Sequence, residues 1–456
     1  MTIATKGYRA MTRTGYRRGV LAGAVALGLL ALGVVGCSTT SILNVTDPDI
    51  INPGDVSTPD GAVALYNGAI GQFAYANAGN AGGTEGQILV SGMFTDEYHL
   101  SGTFPTRLEY DQRAISDKNG TLEGVFRDLQ RARSYLEHAA VALEASAPTP
   151  GSRVGEVFSL AGYTYITMAE NYCEGVPISD YALDGTITYG PTLNRADILA
   201  RALADFDSSD AVTSDADIAN LAAVGRARAL VDEGNFAQAA AAVTAVPTNY
   251  HYVNTHSTNS GFEQNGVYVF NWQSGRWSVS DNEGGDGLDY RSASDPRVPV
   301  DSAGIGFDGS SILWGLAKYA GPSSSVTVAD GIEARLIEAE AMLNNGNGAG
   351  MVTALNNLRA DAGNNGGFSL PALTDPGTTD GRVDMLFRER AFWLFATGHR
   401  LGDMRRLVRQ YGRSADAVFP TGPYFKGGNY GTDVNLPVPF AEQNNPNFTG
   451  CLNRDP

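Results

Sequence analysis

The chain has 456 residues, 43% of them hydrophobic, and carries 49 acidic against 32 basic side chains for a net charge of −17. That is enough for one large domain, or two ordinary ones, around a substantial core. The acidic balance excludes a nucleic-acid binder, whose partner's phosphates demand a basic surface, and argues against broad adhesion to anionic head groups.

The first 36 residues read as a secretory leader. Lys6, Arg9, Arg13, Arg17 and Arg18 precede an apolar stretch from Val20 to Val35 that ends in small residues. The stretch falls short of the about 20 apolar residues that span a bilayer. Val34-Val35-Gly36-Cys37 resembles a bacterial lipobox, which implies cleavage before Cys37 and lipid on that cysteine. An ordinary signal peptide or a membrane anchor is the alternative. On the lipobox reading the mature chain keeps 420 residues, with 27 basic against 49 acidic side chains and a net charge of −22. Residues 37–59 then form a tether, rich in the turn signals Asp47-Pro48-Asp49, Asn52-Pro53-Gly54 and Thr58-Pro59.

One domain, residues 60–456, follows. Thr58-Pro59-Asp60 predicts a helix start, continued by Ala62, Leu65, Tyr66, Ala69 and Phe73. Leu122, Val125, Phe126, Leu129, Ala132, Leu136 and Ala139 recur at helical spacing until Pro148. A second helix runs from Ser152 to Met168 and a third starts after the N-cap Asn194. Further pairs are predicted at Ile218–Leu230 and Asn235–Val246, at Ile332–Leu343 and Met351–Ala362, and at Val383–Phe395 and Gly402–Tyr411. Ala222 to Val246 looks like a tetratricopeptide unit turning at Gly234, although no strict period near 34 residues is kept. Two insertions without helical period, 76–119 and 250–329, interrupt the pairs. Within the second, Gly266 to Trp272 alternates like a strand with Val267, Val269 and Asn271 on one face. The fold class is therefore mainly α, tetratricopeptide-like helical pairs with an irregular, aromatic-rich capping region.

No Gly-x-Ser-x-Gly elbow or His-Glu-x-x-His pair is present, and no two carboxylates are singled out for glycoside hydrolysis. Asp281, Glu283, Asp286 and Asp289 could offer oxygens to Ca²⁺, but they lack EF-hand order and read better as a solvated acidic loop. Cys173 and Cys451 could form a disulfide in an oxidising compartment or remain two buried thiols.

The C-terminal third carries Phe387-Arg388-Glu389-Arg390, Ala396-Thr397-Gly398-His399-Arg400, Asp403-Met404-Arg405-Arg406, Leu436-Pro437-Val438-Pro439 and Asn445-Pro446-Asn447. With Asn171 to Pro177, Asp295-Pro296-Arg297 and the segment from Ile337 to Arg359, this order resembles the RagB/SusD family of outer-membrane nutrient-uptake lipoproteins. Thr397 stands where an acidic residue is usual, and Cys451 replaces the usual ending. By their own chemistry these residues read as structural. Arg400 and Asp403 are spaced to pair on one helix face, Glu389 and Arg390 adjoin core aromatics, and the proline segment is an extended surface lid.

The resemblance implies a cell-surface, lipid-anchored protein without catalytic residues. It would capture an oligosaccharide or peptide and pass it to a TonB-dependent β-barrel transporter. Aromatic rings that stack on sugar faces are the expected binding groups. Tyr98, Phe104, Arg107 and Tyr110 are candidates from the first insertion, beside Asp111, and Trp272, Trp277 and Trp314 from the second, beside Tyr290. Core packing is the competing role for each. A lipid-anchored glycan hydrolase and a protein-binding tetratricopeptide scaffold are the other functional classes.

Overall fold

The computed structural model describes residues 57–182, 186–361, 363, 367 and 369–451, all within one compact unit, Pro53–Pro456. The leader, Cys37 and the tether up to residue 56 lie outside the described residues. Among those described, no helix is long and apolar enough to cross a membrane.

The helices begin where capping chemistry allows. α1, Pro59–Ala78, starts at Thr58, whose hydroxyl accepts from Gly61 N at 3.1 Å. α2 is Gly86–Phe94 and α3 is Pro105–Asp111. α4, Gly120–Ser146, is capped by Asn119. α5, Gly151–Asn171, and α6, Arg195–Val212, follow, the latter capped by Asn194. α7, Ala216–Asp232, turns through Gly234 at φ +82° into α8, Phe236–Val243. α9, Gly331–Asn344, α10, Gly348–Ala360, α11, Thr379–Trp393, and α12, Arg400–Arg409, complete the set.

The helices pack against one another in a connected series. α1 lies on α4, α4 on α5, α5 on α6 and α7, α7 on α8, and α8 on α9. Close approach is made possible at two glycines. A Cβ on Gly162 of α5 would come 2.7 Å from the Phe206 ring of α6, and one on Gly225 of α7 would run into the same ring. The fold is thus mainly α, as the periodicity requires.

Both insertions are more ordered than their sequences suggest. Residues 76–119 hold α2 and α3. Every residue of α2 is buried, so no polar face exists to reveal a period. Between the insertions lie the two-residue strands β2 (Val176–Pro177), β3 (Asp180–Tyr181), β4 (Ile187–Thr188) and β5 (Thr192–Leu193), with β2 paired to β5 and β3 to β4. Residues 250–329 contribute short antiparallel strands. β6 (His251–Asn254) pairs with β10 (Val326–Asp330), and β7 (Trp277–Val279) pairs with β1 (Tyr98–Leu100) of the first insertion. β8 (Val300–Ile305) pairs with β9 (Ile312–Leu316).

Gly266 to Trp272 is not a strand. It forms a helical turn, Gly266–Tyr268, that widens into a π-turn, Val269–Gln273. Asn265 caps it by accepting from Tyr268 N at 3.1 Å. Asn271 is a buried hub that donates to Trp314 O at 3.1 Å and accepts from Leu316 N at 2.7 Å. Side-chain amides thus supply the pairing that a strand would take from its neighbours.

The C-terminal segment also departs from expectation. Residues 434–439 are buried, not a surface lid. Leu436 N donates to Asn171 O and Cys173 N to Leu436 O, both at 2.8 Å, at the end of α5. Cys173 and Cys451 form a disulfide, with Cα atoms 5.8 Å apart.

Arg400 does not pair with Asp403. It makes a two-pronged bond to buried Asp96, at 2.6 and 2.8 Å, while Asp403 serves Arg390 and Arg406 at 2.8 and 2.7 Å. Glu389, between Arg297 and Arg359, likewise ties α11 to the cap and to α10.

Candidate ligand-binding cleft

β1 and β7 decide which insertion aromatics face solvent. Side chains alternate across a strand, and Tyr98, Leu100, Trp277 and Val279 all turn into the core. Tyr98 packs on Phe395, with ring centres 5.6 Å apart. Tyr110 is buried beside Asn119, and Tyr290 packs between Phe392 and Phe395. Tyr98, Tyr110, Trp277 and Tyr290 are each fully buried and present no face to a ligand, which corrects their candidacy.

The remaining candidates divide. Trp272 is half-buried, with its indole N–H donating to Leu316 O at 2.8 Å. Arg107 is buried in an ion pair with Glu85, and Asp111 is buried, accepting from Leu100 N and from the Tyr424 hydroxyl. Trp314 is half-buried beneath Arg291, whose guanidinium carbon stands 4.6 Å from its ring. Phe104 does reach solvent, 39% exposed, and stacks on Phe307, 51% exposed, at 6.2 Å between centres.

A cleft of about 560 Å³ is lined by His99, Asp281, Glu283, Arg291, Phe425 and Tyr430. The turn after β7 builds one wall. Asn282 and Gly284 there adopt positive φ, 53° and 64°, and Gly284 backs so closely onto Pro420 and Thr421 that a Cβ would not fit. The Tyr424–Tyr430 turn builds the opposite wall. It is held by Tyr424 on Asp111, Tyr430 on Glu283 and Lys426 on Asp308. Phe425 stays 49% exposed and meets the His99 ring edge-on at 5.2 Å.

The polar groups are set in advance. Asp281 accepts from Arg291 N, Ser292 N and the Ser292 hydroxyl at 2.9 to 3.0 Å. Burial raises the Glu283 carboxyl pKa, against the bonds from Tyr430 and Ser280. Burial, then the charges of Arg291 and Lys426, push His99 down to about 3, so its imidazole is neutral at physiological pH. The cleft therefore offers aromatic surface together with fixed donors and acceptors, the combination that suits a ligand with alternating C–H faces and hydroxyls.

Three of the four acids expected to offer oxygens to Ca²⁺ serve different partners: Asp281 and Glu283 are engaged as above, and Asp289 bonds Arg388 at 2.5 Å. Among the described residues no group of three or more His, Cys, Asp or Glu converges to hold a metal ion.

A larger groove of about 790 Å³ runs between α8 and α9, lined by Phe236, Ala237, Ala240, Ala241, Ala341 and Met342 among others. Its polar lining, Asn235, Gln238, Thr244, Glu338, Asn344 and Asn345, surrounds a single aromatic, Phe236, which leans on Tyr411. The smaller cleft is the better ligand site because its polar and aromatic groups converge. Phe425, Tyr430, Phe307 and His99 escaped the sequence reading, although Tyr424-Phe425-Lys426-Gly427-Gly428-Asn429-Tyr430 has the aromatic and glycine content of a binding turn.

No protein-family model matches the chain, and no curated protein matches it. Solved structures do. A laminarin binding SusD-like protein aligns over 87% of this chain and 99% of its own, with a TM-score of 0.62 at 14% identity. A SusD superfamily protein from Bacteroides fragilis aligns over 86% and 99%, with a TM-score of 0.62 at 15% identity. The chain has the SusD-like fold. A SusD-like carbohydrate binding protein from Bacteroides vulgatus aligns over 76% and 83%, with a TM-score of 0.53 at 13% identity. Within this SusD-like fold, the cleft is built by the two insertions and the 421–431 turn, not by the helical pairs.

Proposed function

We propose that this protein is a lipid-anchored, surface-exposed glycan-binding protein that captures oligosaccharides and passes them to a TonB-dependent outer-membrane β-barrel. One observation carries the reading. The cap presents the exposed ring of Phe425 in a cleft whose polar groups are already held in place, and Lys426, next in the chain, ties that cleft through Asp308 and Gly102 to the exposed Phe104–Phe307 pair. Rings of this kind stack on sugar faces, while Asp281, Glu283, Tyr430 and Arg291 meet hydroxyls. The carbohydrate-binding neighbours of the same fold support the ligand class, and the lipobox-like Cys37 supports the anchor. The protein binds its ligand without altering it.

Titration calorimetry of the leaderless chain against a panel of oligosaccharides tests the capture step. We expect micromolar to millimolar binding that weakens about tenfold, or about 1.4 kcal/mol, in Phe425→Ala and in Phe104→Ala with Phe307→Ala. Melting temperatures should barely move, because these rings are exposed. No binding by any oligosaccharide, or wild-type affinity in both variants, would remove the cleft from the account. Affinity purification of the tagged full-length chain from native membranes tests delivery, with a stoichiometric β-barrel as the expected companion.

A further inference from the structure

The mature chain carries 22 more acidic than basic side chains if it begins at Cys37, so arginines rarely lack a carboxylate. Around the cap, Arg107 has Glu85, Arg297 has Asp295 and Glu389, Arg388 has Asp289, and Arg400 has Asp96. Two arginines at the ligand face differ. No Asp or Glu among the described residues lies within ion-pair distance of Arg276 or Arg291, and each has a buried Nε with no hydrogen-bond partner.

Arg276 is positioned by its surroundings. Its guanidinium carbon stands 4.7 Å from the ring centres of both Phe104 and Phe307. Gly275, at φ +60°, turns the chain into β7 and accepts from Phe307 N at 2.8 Å. The nearest acids are committed elsewhere. Glu85 is taken by Arg107, and Asp308, beside Phe307, is taken by Lys426 and by Ser311. Burial and the charge of Arg107 lower the Arg276 pKa, and the charge of Glu85 offsets them only in part.

Arg291, inside the cleft, lies 4.6 Å over the Trp314 ring but there faces the charges of Asp281 and Glu283, so Arg276 is the cation with less counter-charge. The two sites lie on one strip. Arg276 O accepts from Ser101 N, and the next pair but one is Ser278 with His99. Ser278 holds Trp314 N at 2.7 Å. Two residues of strand, about 7 Å of backbone, separate Arg276 from Ser278.

A guanidinium held against aromatic rings, with no carboxylate within ion-pair distance, is organised for two-pronged contact with an anionic group. From this juxtaposition we infer that the captured oligosaccharide is acidic, with a carboxylate or sulfate ester seated on Arg276 while its sugar ring lies on Phe104 and Phe307. The inference rests on the glycan-binding reading above. The protein's own negative charge opposes such a ligand at long range, but physiological salt screens that repulsion beyond about 8 Å.

The test is calorimetry of the leaderless full chain with paired probes. Uronic-acid oligosaccharides are compared with their carboxyl-reduced counterparts, and sulfated oligosaccharides with their desulfated counterparts. The expected result is that one acidic probe binds about tenfold or more tighter than its neutral counterpart. The pair showing the difference identifies the anion. Arg276→Ala should collapse that ratio and Arg276→Lys restore part of it, whereas Phe104→Ala should weaken both members of the pair. Thermal melts confirm that each variant is folded. Neutral counterparts binding as tightly as acidic probes, or a ratio that survives Arg276→Ala, would overturn the inference and leave glycan capture standing. Failure of every acidic and neutral probe to bind would overturn both.

Discussion

Single side chains at the join between helices and cap carry consequences out of proportion to their number. Asp96 and Arg400 are both buried and bond twice, so removing either leaves an uncompensated charge in the core. Arg400→Ala should cost about 3–5 kcal/mol in urea unfolding. Asp96's neighbour Glu97 behaves differently. One of its oxygens accepts from Ala396 N at 3.0 Å and the other, buried, has no hydrogen-bond partner. Burial raises its pKa from 4.5 to about 8. Between those values the unfolded chain has released the proton and the folded chain still holds it, so stability falls as pH rises. Glu97→Gln removes this dependence. Unfolding from pH 4 to 9 should show the variant gaining on the wild type up to about pH 8 and holding level beyond it. A constant difference would mean that Glu97 is ionised in the folded protein. Sequence could suggest that Glu389 and Arg390 are structural, but it placed Arg400 against Asp403. Neighbours along a helix are visible in a sequence, whereas Asp96 lies 304 positions away.

At the scale of elements, most helical pairs were legible from a helical apolar period and a small-residue turn, as α7 and α8 show around Gly234, with an N-cap such as Asp215 at the start of α7. α2 was hidden because burial on every side removes the period. The Gly266–Trp272 stretch misled because a buried Asn271 in a π-turn has the same spacing as a polar strand residue. The aromatic candidates failed for a related reason. Sequence shows that a Trp or Tyr is present, not which side of β1 or β7 it occupies, and the register sent Tyr98 and Trp277 inward. Two predictions belong here. Gly225→Ala gains helix propensity of about 1 kcal/mol but drives a methyl into the Phe206 ring, so net destabilisation of about 1–3 kcal/mol is expected by thermal unfolding. Cys173→Ser with Cys451→Ser releases the C-terminal segment from the end of α5, and about 2–4 kcal/mol of stability should be lost. Unchanged stability in the serine variant would show that the Leu436 backbone bonds hold that segment unaided.

For the whole molecule, helices and insertions divide the work. The helical pairs bury their apolar faces against one another and form a continuous core, while the insertions spend exposed aromatics on a polar cleft. Two concave sites compete for the ligand: the cleft between the β7 turn and the 421–431 turn, and the larger groove between α8 and α9. The proposed ligand site is the cleft, on chemistry and not on size. Hydrogen–deuterium exchange with and without a saturating oligosaccharide that binds in calorimetry decides between them. Protection confined to residues 97–101, 276–285 and 421–431 is the predicted result. Protection at 234–244 and 338–345, with the cleft segments exchanging as in the free protein, would contradict it.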